Sequence, residues 1–147
     1  MDILSKDKLL DLEGKTAIVT GGSLGIGYGI SYRLAEAGAN VVITSLNIEE
    51  VNKAVEELKQ KGFKVAGVKT DVSLEEDVKN LITGTIKSFG PIDILVNNAG
   101  IFPFIPLAQL TSEVFDKVIA TNLRGVFLCT KYVSEQMIKQ GKGGKII

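Results

Sequence analysis

The sequence predicts an α/β protein built on a doubly wound parallel sheet that is incomplete at its C-terminal side. Three observations carry this expectation. Short apolar runs at Ala17–Val19, Val41–Ile43, Phe63–Val68 and Ile92–Val96 alternate with segments of helical periodicity. Such alternation implies right-handed βαβ crossovers, which place helices on both faces of one sheet. The first run breaks into Thr20-Gly-Gly-Ser-Leu-Gly-Ile-Gly27, where a helix begins, and Lys145-Ile-Ile147 reads as the first residues of a fifth strand.

Taken in order, residues 1–13 read as a charged leader that packs loosely ahead of the first strand at Lys15–Thr20, and residues 14–147 form a single domain. The helix after the glycines carries Ile26, Ile30 and Leu34 at four-residue spacing and stops at Gly38, a residue type suited to the C-terminal turn. The next helix opens at Asn47, with Glu50 three residues later as a capping box, and its expected buried stripe is Val51, Ala54, Val55 and Leu58. After the third strand, Ser73 and Glu76 repeat the capping-box spacing, and Val78, Leu81, Ile82, Ile86 and Phe89 mark a helix face closed by Gly90-Pro91. Pro103 and Pro106 make the following segment a loop. A long helix is expected from about Thr111 to Gln140, with Phe115, Val118, Ile119, Val126, Phe127, Val133 and Met137 on its apolar positions.

Composition restricts the chemistry. The 147 residues are 45% hydrophobic and 23% charged, as in an ordinary globular domain, and 17 basic residues balance 17 acidic ones. That balance gives no footprint for nucleic acid or for an anionic membrane. There is no histidine and Cys129 is the only cysteine, which removes intrachain disulfides, His-ligated metals and every Ser-His or Cys-His pair. With no signal-peptide core and no apolar run of membrane-spanning length, the expected address is the cytoplasm.

The glycine segment is a device for binding anions. A helix N-terminus presents unpaired N–H groups and partial positive charge, and glycines let a pyrophosphate approach the backbone. On this reading a bulky residue at Gly21 should block that approach. The spacing Gly21-x-x-x-Gly25-x-Gly27 is one residue longer in its first gap than the G-x-G-x-x-G dinucleotide fingerprint.

Four motifs together resemble the short-chain dehydrogenase/reductase family: Thr20-Gly-Gly-Ser-Leu-Gly-Ile-Gly27 its T-G-x-x-x-G-x-G turn, Asn97-Asn-Ala-Gly100 its N-N-A-G, Asp71-Val72 its adenine-holding pair, and Asn122 in Thr121-Asn-Leu-Arg-Gly125 its active-site asparagine. The resemblance covers the chain from about residue 12 onward. It implies a Rossmann-type sheet of strand order 3-2-1-4-5 and an NAD or NADP cofactor. Gly21, Ser23, Leu24, Gly25, Ile26 and Gly27 would surround the pyrophosphate. Asp71 and Val72 would hold the adenine, while Asn98, Ala99 and Gly100 would lie along the adenosine ribose. Asp71 reads equally well as a helix-entry carboxylate, and the Asn97–Gly100 stretch as a polar turn. Asn122 falls between Ile119 and Val126 on what looks like a buried stripe, where an amide must find partners; the resemblance implies a water-mediated link to a catalytic lysine. Cys129, near the same face, reads as core.

Cofactor preference stays open. Ser45 stands where an acid would hold a ribose 2′-hydroxyl, and Leu24 and Leu46 stand where NADP-dependent members often carry a cation. The family's reaction moves hydride between nicotinamide and a secondary alcohol or ketone, and it needs Tyr-x-x-x-Lys and a serine. Four residues after Tyr28, Tyr32 and Tyr132 stand Tyr32, Glu36 and Gln136, so those groups would lie beyond residue 147. The chain therefore reads as the cofactor-binding part of an oxidoreductase, inactive by itself. The alternatives are a non-catalytic dinucleotide-binding module, or a fragment that depends on a partner chain. The resemblance further implies that the apolar loop Ile101–Pro106 shapes a wall of the substrate pocket, though it reads equally well as a loop packing on its own domain. It also implies a helix-mediated homo-oligomer, dimer or tetramer. Leu123, Leu128 and Tyr132 are read as apolar positions outside the core face that would serve such contacts or cover further chain.

Overall fold

A computed structural model describes residues 10–147 as a five-stranded parallel sheet in the order β3-β2-β1-β4-β5. The strands are β1 (Thr16–Thr20), β2 (Asn40–Ser45), β3 (Val65–Lys69), β4 (Ile94–Val96) and β5 (Lys145–Ile146). Helices α1 (Gly25–Glu36), α2 (Ile48–Gln60) and α3 (Glu75–Phe89) follow the first three strands. After β4 come a 3-10 turn at Leu107–Gln109, α4 (Ser112–Ile119), a π-helical segment at Ala120–Gly125 and α5 (Val126–Gln140). Residues 1–9 of the expected leader lie outside the described residues. Leu12 is half-buried against the core, and its N–H donates to the Ala37 carbonyl at 2.8 Å.

Every side chain of β1 is buried, because the strand is covered on both faces. Ile18, Val42 and Leu95 meet Val78, Leu81 and Ile82 of α3 and Leu128, Cys129, Val133 and Met137 of α5. On the other face, Ala17, Val19, Val41 and Ile43 meet Ala35 of α1 and Ala54 and Leu58 of α2. Alternation along β1 and β2 thus feeds two cores, which is why their sequences are almost continuously apolar.

Several expectations need correction. The buried positions of α1 are Gly27, Ser31 and Ala35, while Ile26 is 81% exposed and Ile30 and Leu34 are only half-buried. Small residues let this helix lie close to the glycine turn, and Ser31 stays satisfied by donating to the Gly27 and Gly22 carbonyls. Ser73 does not cap α3. The helix starts a residue later, at N-cap Leu74, and the Ser73 hydroxyl and N–H both donate to Asp71 Oδ1. On α3 the stripe ends in Thr85, whose hydroxyl donates to the Leu81 carbonyl at 2.8 Å, and Ile86 at the stripe's edge is exposed. Leu128 belongs to the core, whereas Phe115, Ile119, Val126 and Phe127 are exposed. The cause is the π-helical segment, whose i→i+5 bonding changes the phase of the helical face between α4 and α5. The Asn47 cap is present, accepting from the Glu49 and Glu50 N–H groups. Glu50 returns the contact by accepting from the Asn47 side-chain amide at 3.3 Å, not from its backbone.

At the far end of α5, the Gln140 amide holds Ile92 as a strand would. Its Oε1 accepts from the Ile92 N–H and its Nε2 donates to the Ile92 carbonyl, both at 3.0 Å. Among the described residues no helix is long and apolar enough to cross a membrane.

Replacing Gln140 with Leu strands both backbone groups of Ile92 and should cost about 1–3 kcal/mol of stability in urea unfolding; an unchanged midpoint would show the pairing to be idle. Cys129 is 1% exposed and burial pushes its thiol up to about 11. It should therefore resist a thiol reagent at pH 8 in the native protein and react once urea unfolds the chain.

Candidate functional site

The carboxyl ends of β1 and β4 are joined by one threonine and one asparagine. Thr20 is 2% exposed and its hydroxyl donates to the Val96 carbonyl at 3.2 Å, while accepting from the N–H groups of Asn98 at 2.9 Å and Ala99 at 3.0 Å. In return the Asn98 amide donates to the Thr20 carbonyl at 2.9 Å and the Gly21 carbonyl at 3.1 Å. This knot fixes the glycine turn against Ala99 and Gly100. The motif spacing assigns Thr20 no role; its signal is a buried hydroxyl at the end of an apolar strand.

Beside the knot lies a cavity of about 390 Å³. The strand ends supply Gly21, Ser45, Leu46, Asp71, Val72, Ala99 and Gly100 to its wall, and α4 with the π-helical segment supplies Lys117, Ala120 and Thr121. Seven of the residues singled out from the sequence therefore meet in one place, although Gly21 and Gly100 are 79 positions apart in the chain. Ile101, the first residue of the loop expected to form a wall, also lines the cavity, whereas Lys117 and Thr70 are lining residues that motif spacing could not reveal. Asp71 stands at the entry of α3 and in the cavity wall. Oδ1 is used by Ser73, and the backbone N–H of Asp71 donates to Asp77 Oδ2 at 2.8 Å, so the carboxyl group is held at the cavity wall by the entry of α3. At the same end of the sheet, Thr44 Oγ1 is buried without a hydrogen-bond partner among the described residues.

Ser23, Leu24 and Gly25 face a second cavity of about 380 Å³, shared with Tyr28 of α1 and with Glu50, Lys53 and Glu57 of α2. Ser23 is buried, whereas Leu24 is 59% exposed. The Tyr28 hydroxyl donates to Glu57 at 3.1 Å, and its pKa is raised, first by partial burial and then by that carboxylate. Ile26 and Gly27 line neither cavity.

The glycines divide the work differently from expectation. A Cβ on Gly21 would meet Ala99 Cα at 3.0 Å, and one on Gly27 would run into the Gly21 carbonyl. These two glycines make room for protein, not for a ligand, so a bulky residue at Gly21 would first displace the Asn98–Ala99 backbone. Gly25 is the open one, since at φ 53° an added Cβ would meet nothing within 4 Å. It starts α1, whose N-cap Leu24 offers no side-chain bond and whose first turn holds no acid. By contrast α2 is capped by Asn47 with Glu49 and Glu50 in its first turn, α3 begins with Glu75, Glu76 and Asp77, and α4 is capped by Thr111. The bare N-terminus of α1 faces the sheet edge with its dipole uncompensated.

Asn122 is not on a buried stripe. It is exposed, in the π-helical segment, and its amide pairs with the backbone of Ile101: Oδ1 accepts from the N–H at 2.9 Å and Nδ2 donates to the carbonyl at 2.8 Å. The flanking Ile119 and Val126 face outward, so the apolar spacing misplaced it. What the amide does is tie the start of the Ile101–Pro106 loop to the helix. Within that loop Phe102 and Phe104 are 78% and 96% exposed.

Strand order, glycine turn and cavity define an open α/β protein with a cavity at the carboxyl ends of its strands. Residues 15–147 match the short chain dehydrogenase family. An uncharacterized oxidoreductase of Thermotoga maritima is 43% identical over 92% of this chain and 53% of its own length. Dehydrogenase/reductase SDR family member 4 of Caenorhabditis elegans is 44% identical over 92% of this chain and 52% of its own. A short-chain type dehydrogenase/reductase from Mycobacterium marinum superposes with a TM-score of 0.93 at 34% identity, covering 97% of this chain and 58% of that one. The chain belongs to the short-chain dehydrogenase family and spans about half the length of the relatives it matches.

Replacing Thr20 with Val removes the acceptor of two N–H groups and should lower stability by about 1–3 kcal/mol, read by thermal and urea unfolding; a loss under about 0.5 kcal/mol would dismiss the knot as a structural determinant.

Proposed function

We propose that this chain holds an NAD(P) dinucleotide across the carboxyl edge of its sheet, as the cofactor-binding part of a short-chain dehydrogenase that moves hydride between nicotinamide and a secondary alcohol or ketone. The observation that carries the reading is a cavity walled by the ends of β1, β2, β3 and β4, to which the glycine turn leading into the bare α1 N-terminus contributes Gly21. The residues present fit such a molecule. Gly25 leaves space where a diphosphate would meet the first N–H groups of α1. Asp71 keeps one carboxylate oxygen that Ser73 does not use, an acceptor suited to an adenine amino group. Ser45, Ala99 and Gly100 would run beside the ribose.

When bound, the nicotinamide supplies the hydride acceptor or donor. The chain's own part is to hold and orient. The Thr20–Asn98 knot keeps the turn and the Ala99–Gly100 backbone in fixed register. Asn122 positions the Ile101–Pro106 loop, which would stand on the substrate side of the site. No Tyr-x-x-x-Lys occurs in the 147 residues, and an unassisted phenol with a pKa of about 10 is a poor proton donor–acceptor partner near neutrality. That absence favours, as a second reading of the chain alone, a module that binds the dinucleotide without turning over. Phe115, Ile119, Leu123 and Phe127 follow one another at four-residue spacing and are all exposed, which supports a helix-mediated homo-oligomer.

Titration of residues 1–147 with NADH or NADPH should change nicotinamide fluorescence saturably, without reduction of an added ketone. Ile26→Asp places a carboxylate in the first turn of α1 at an exposed position, where it suits the helix dipole but opposes a phosphate. It should weaken binding about tenfold or more while leaving thermal stability unchanged or raised. Undiminished affinity in this variant would refute the placement of the diphosphate, and measurable turnover by the chain alone would refute its assignment as a part that only binds.

A further inference from the structure

The sheet register places a cation beside the residue that meets the adenosine ribose. β2 and β3 pair in parallel with Ser45 opposite Lys69. Paired residues of adjacent parallel strands share a face, and here the face is that of α2. Val41 and Ile43, four and two residues before Ser45, sit in the core with Ala54 and Leu58 of α2. Likewise a Cβ on Gly67, two residues before Lys69, would run into Val51. Ser45 and Lys69 are therefore neighbours on one face at the carboxyl edge of the sheet. Lys69 is exposed and makes no ion pair or side-chain hydrogen bond among the described residues. Its stem of four methylenes can carry the ammonium over the adjacent strand end.

We propose that Lys69 is a specificity residue for the dinucleotide site, giving it preference for a ribose bearing a 2′-phosphate over one bearing a free 2′-hydroxyl. The inference rests on the dinucleotide reading above and adds the identity of the cofactor. Two features of the site agree with it. A free 2′-hydroxyl is selected by a carboxylate at the end of β2, and Ser45 supplies none; a phosphate there meets no repulsion from the strand. The Ser45 oxygen accepts from the Asn47 N–H at 3.3 Å, which leaves its own proton to donate to an anion. Opposing charges at this end of the sheet are Glu49 and Glu50 in the first turn of α2 and Asp71 in the cavity wall; Glu50 already accepts from the Asn47 amide and Asp71 from Ser73. Lys69 reaches the site from the other side, from β3, so no inspection of the residues following β2 would reveal it.

The test compares dissociation constants for NADPH and NADH on the full chain, with adenosine 2′,5′-bisphosphate and 5′-AMP as displacing ligands. NADPH should bind about tenfold more tightly, as for one charge-assisted contact, and the bisphosphate should displace it at lower concentration than 5′-AMP. Lys69→Ala should remove that advantage while leaving the NADH constant within about twofold. Lys64→Ala, the same charge change at the opposite end of β3, should alter neither. Equal or tighter binding of NADH by the unaltered chain would overturn the inference, as would a Lys69→Ala variant that retains the preference or loses both cofactors alike. If neither nucleotide binds the unaltered chain, the dinucleotide reading itself fails and this inference with it.

Discussion

The contact between Thr20 and Asn98 is the constraint on which the rest of the site depends. β1 and β4 are adjacent in the sheet but 77 residues apart between Val19 and Val96. Where they end, their backbones must turn in different directions without stranding polar groups. One hydroxyl and one amide satisfy five backbone groups in that corner. A buried polar network of this kind is favourable only when complete. Its completeness sets the distance between the glycine turn and the Ala99–Gly100 backbone, and so the width of the cavity.

Side-chain amides recur as backbone substitutes along the segment from Ile92 to Ile101. Gln140 pairs with Ile92 at its start, Asn98 with Thr20 and Gly21 in its middle, and Asn122 with Ile101 at its end. An amide carries a donor and an acceptor in the geometry of a peptide group, so each satisfies chain that leaves the sheet. Two of the three come from the α4–α5 run, which is thereby locked to β4 and to the loop after it. The π-helical segment makes Asn122's pairing compatible with a helix whose remaining residues pack elsewhere. Local irregularity serves the site, as is common for such segments.

Charge placement at the helix starts is the second organising feature. Most helices here open with a capping side chain, with acids, or with both, and these neutralise the positive end of the dipole. α1 has neither, and it is the helix preceded by a turn in which Gly21 and Gly27 permit close backbone contact. The combination concentrates uncompensated positive potential at the edge where the strand ends converge.

Much of this was legible before any coordinates. The alternation of strands and helices, the start of α1 and the Asn47 cap follow from apolar periodicity and glycine positions, which are local properties of the chain; strand order and the approximate wall of the cavity came with the family resemblance of its short motifs. The misreadings share one cause: a side chain's surroundings are set by what packs on it. Ile26 and Ile86 have core-like spacing but face water, Leu128 has peripheral spacing but lies in the core, and Asn122 sits on a stripe that the π-helical segment turns outward. Ser73 had the spacing of a cap, yet its hydroxyl and N–H both donate to the carboxylate of Asp71 and the N-cap of the helix is Leu74. The sequence by itself therefore determined the order of elements and the glycine turn, because φ preferences and burial periods act over a few residues. Only the tertiary structure decided which glycine of the turn stays open, which amides close the sheet edge and that Lys69 stands beside Ser45. Those relations join residues from different strands, and the register between strands is fixed only when both cores pack.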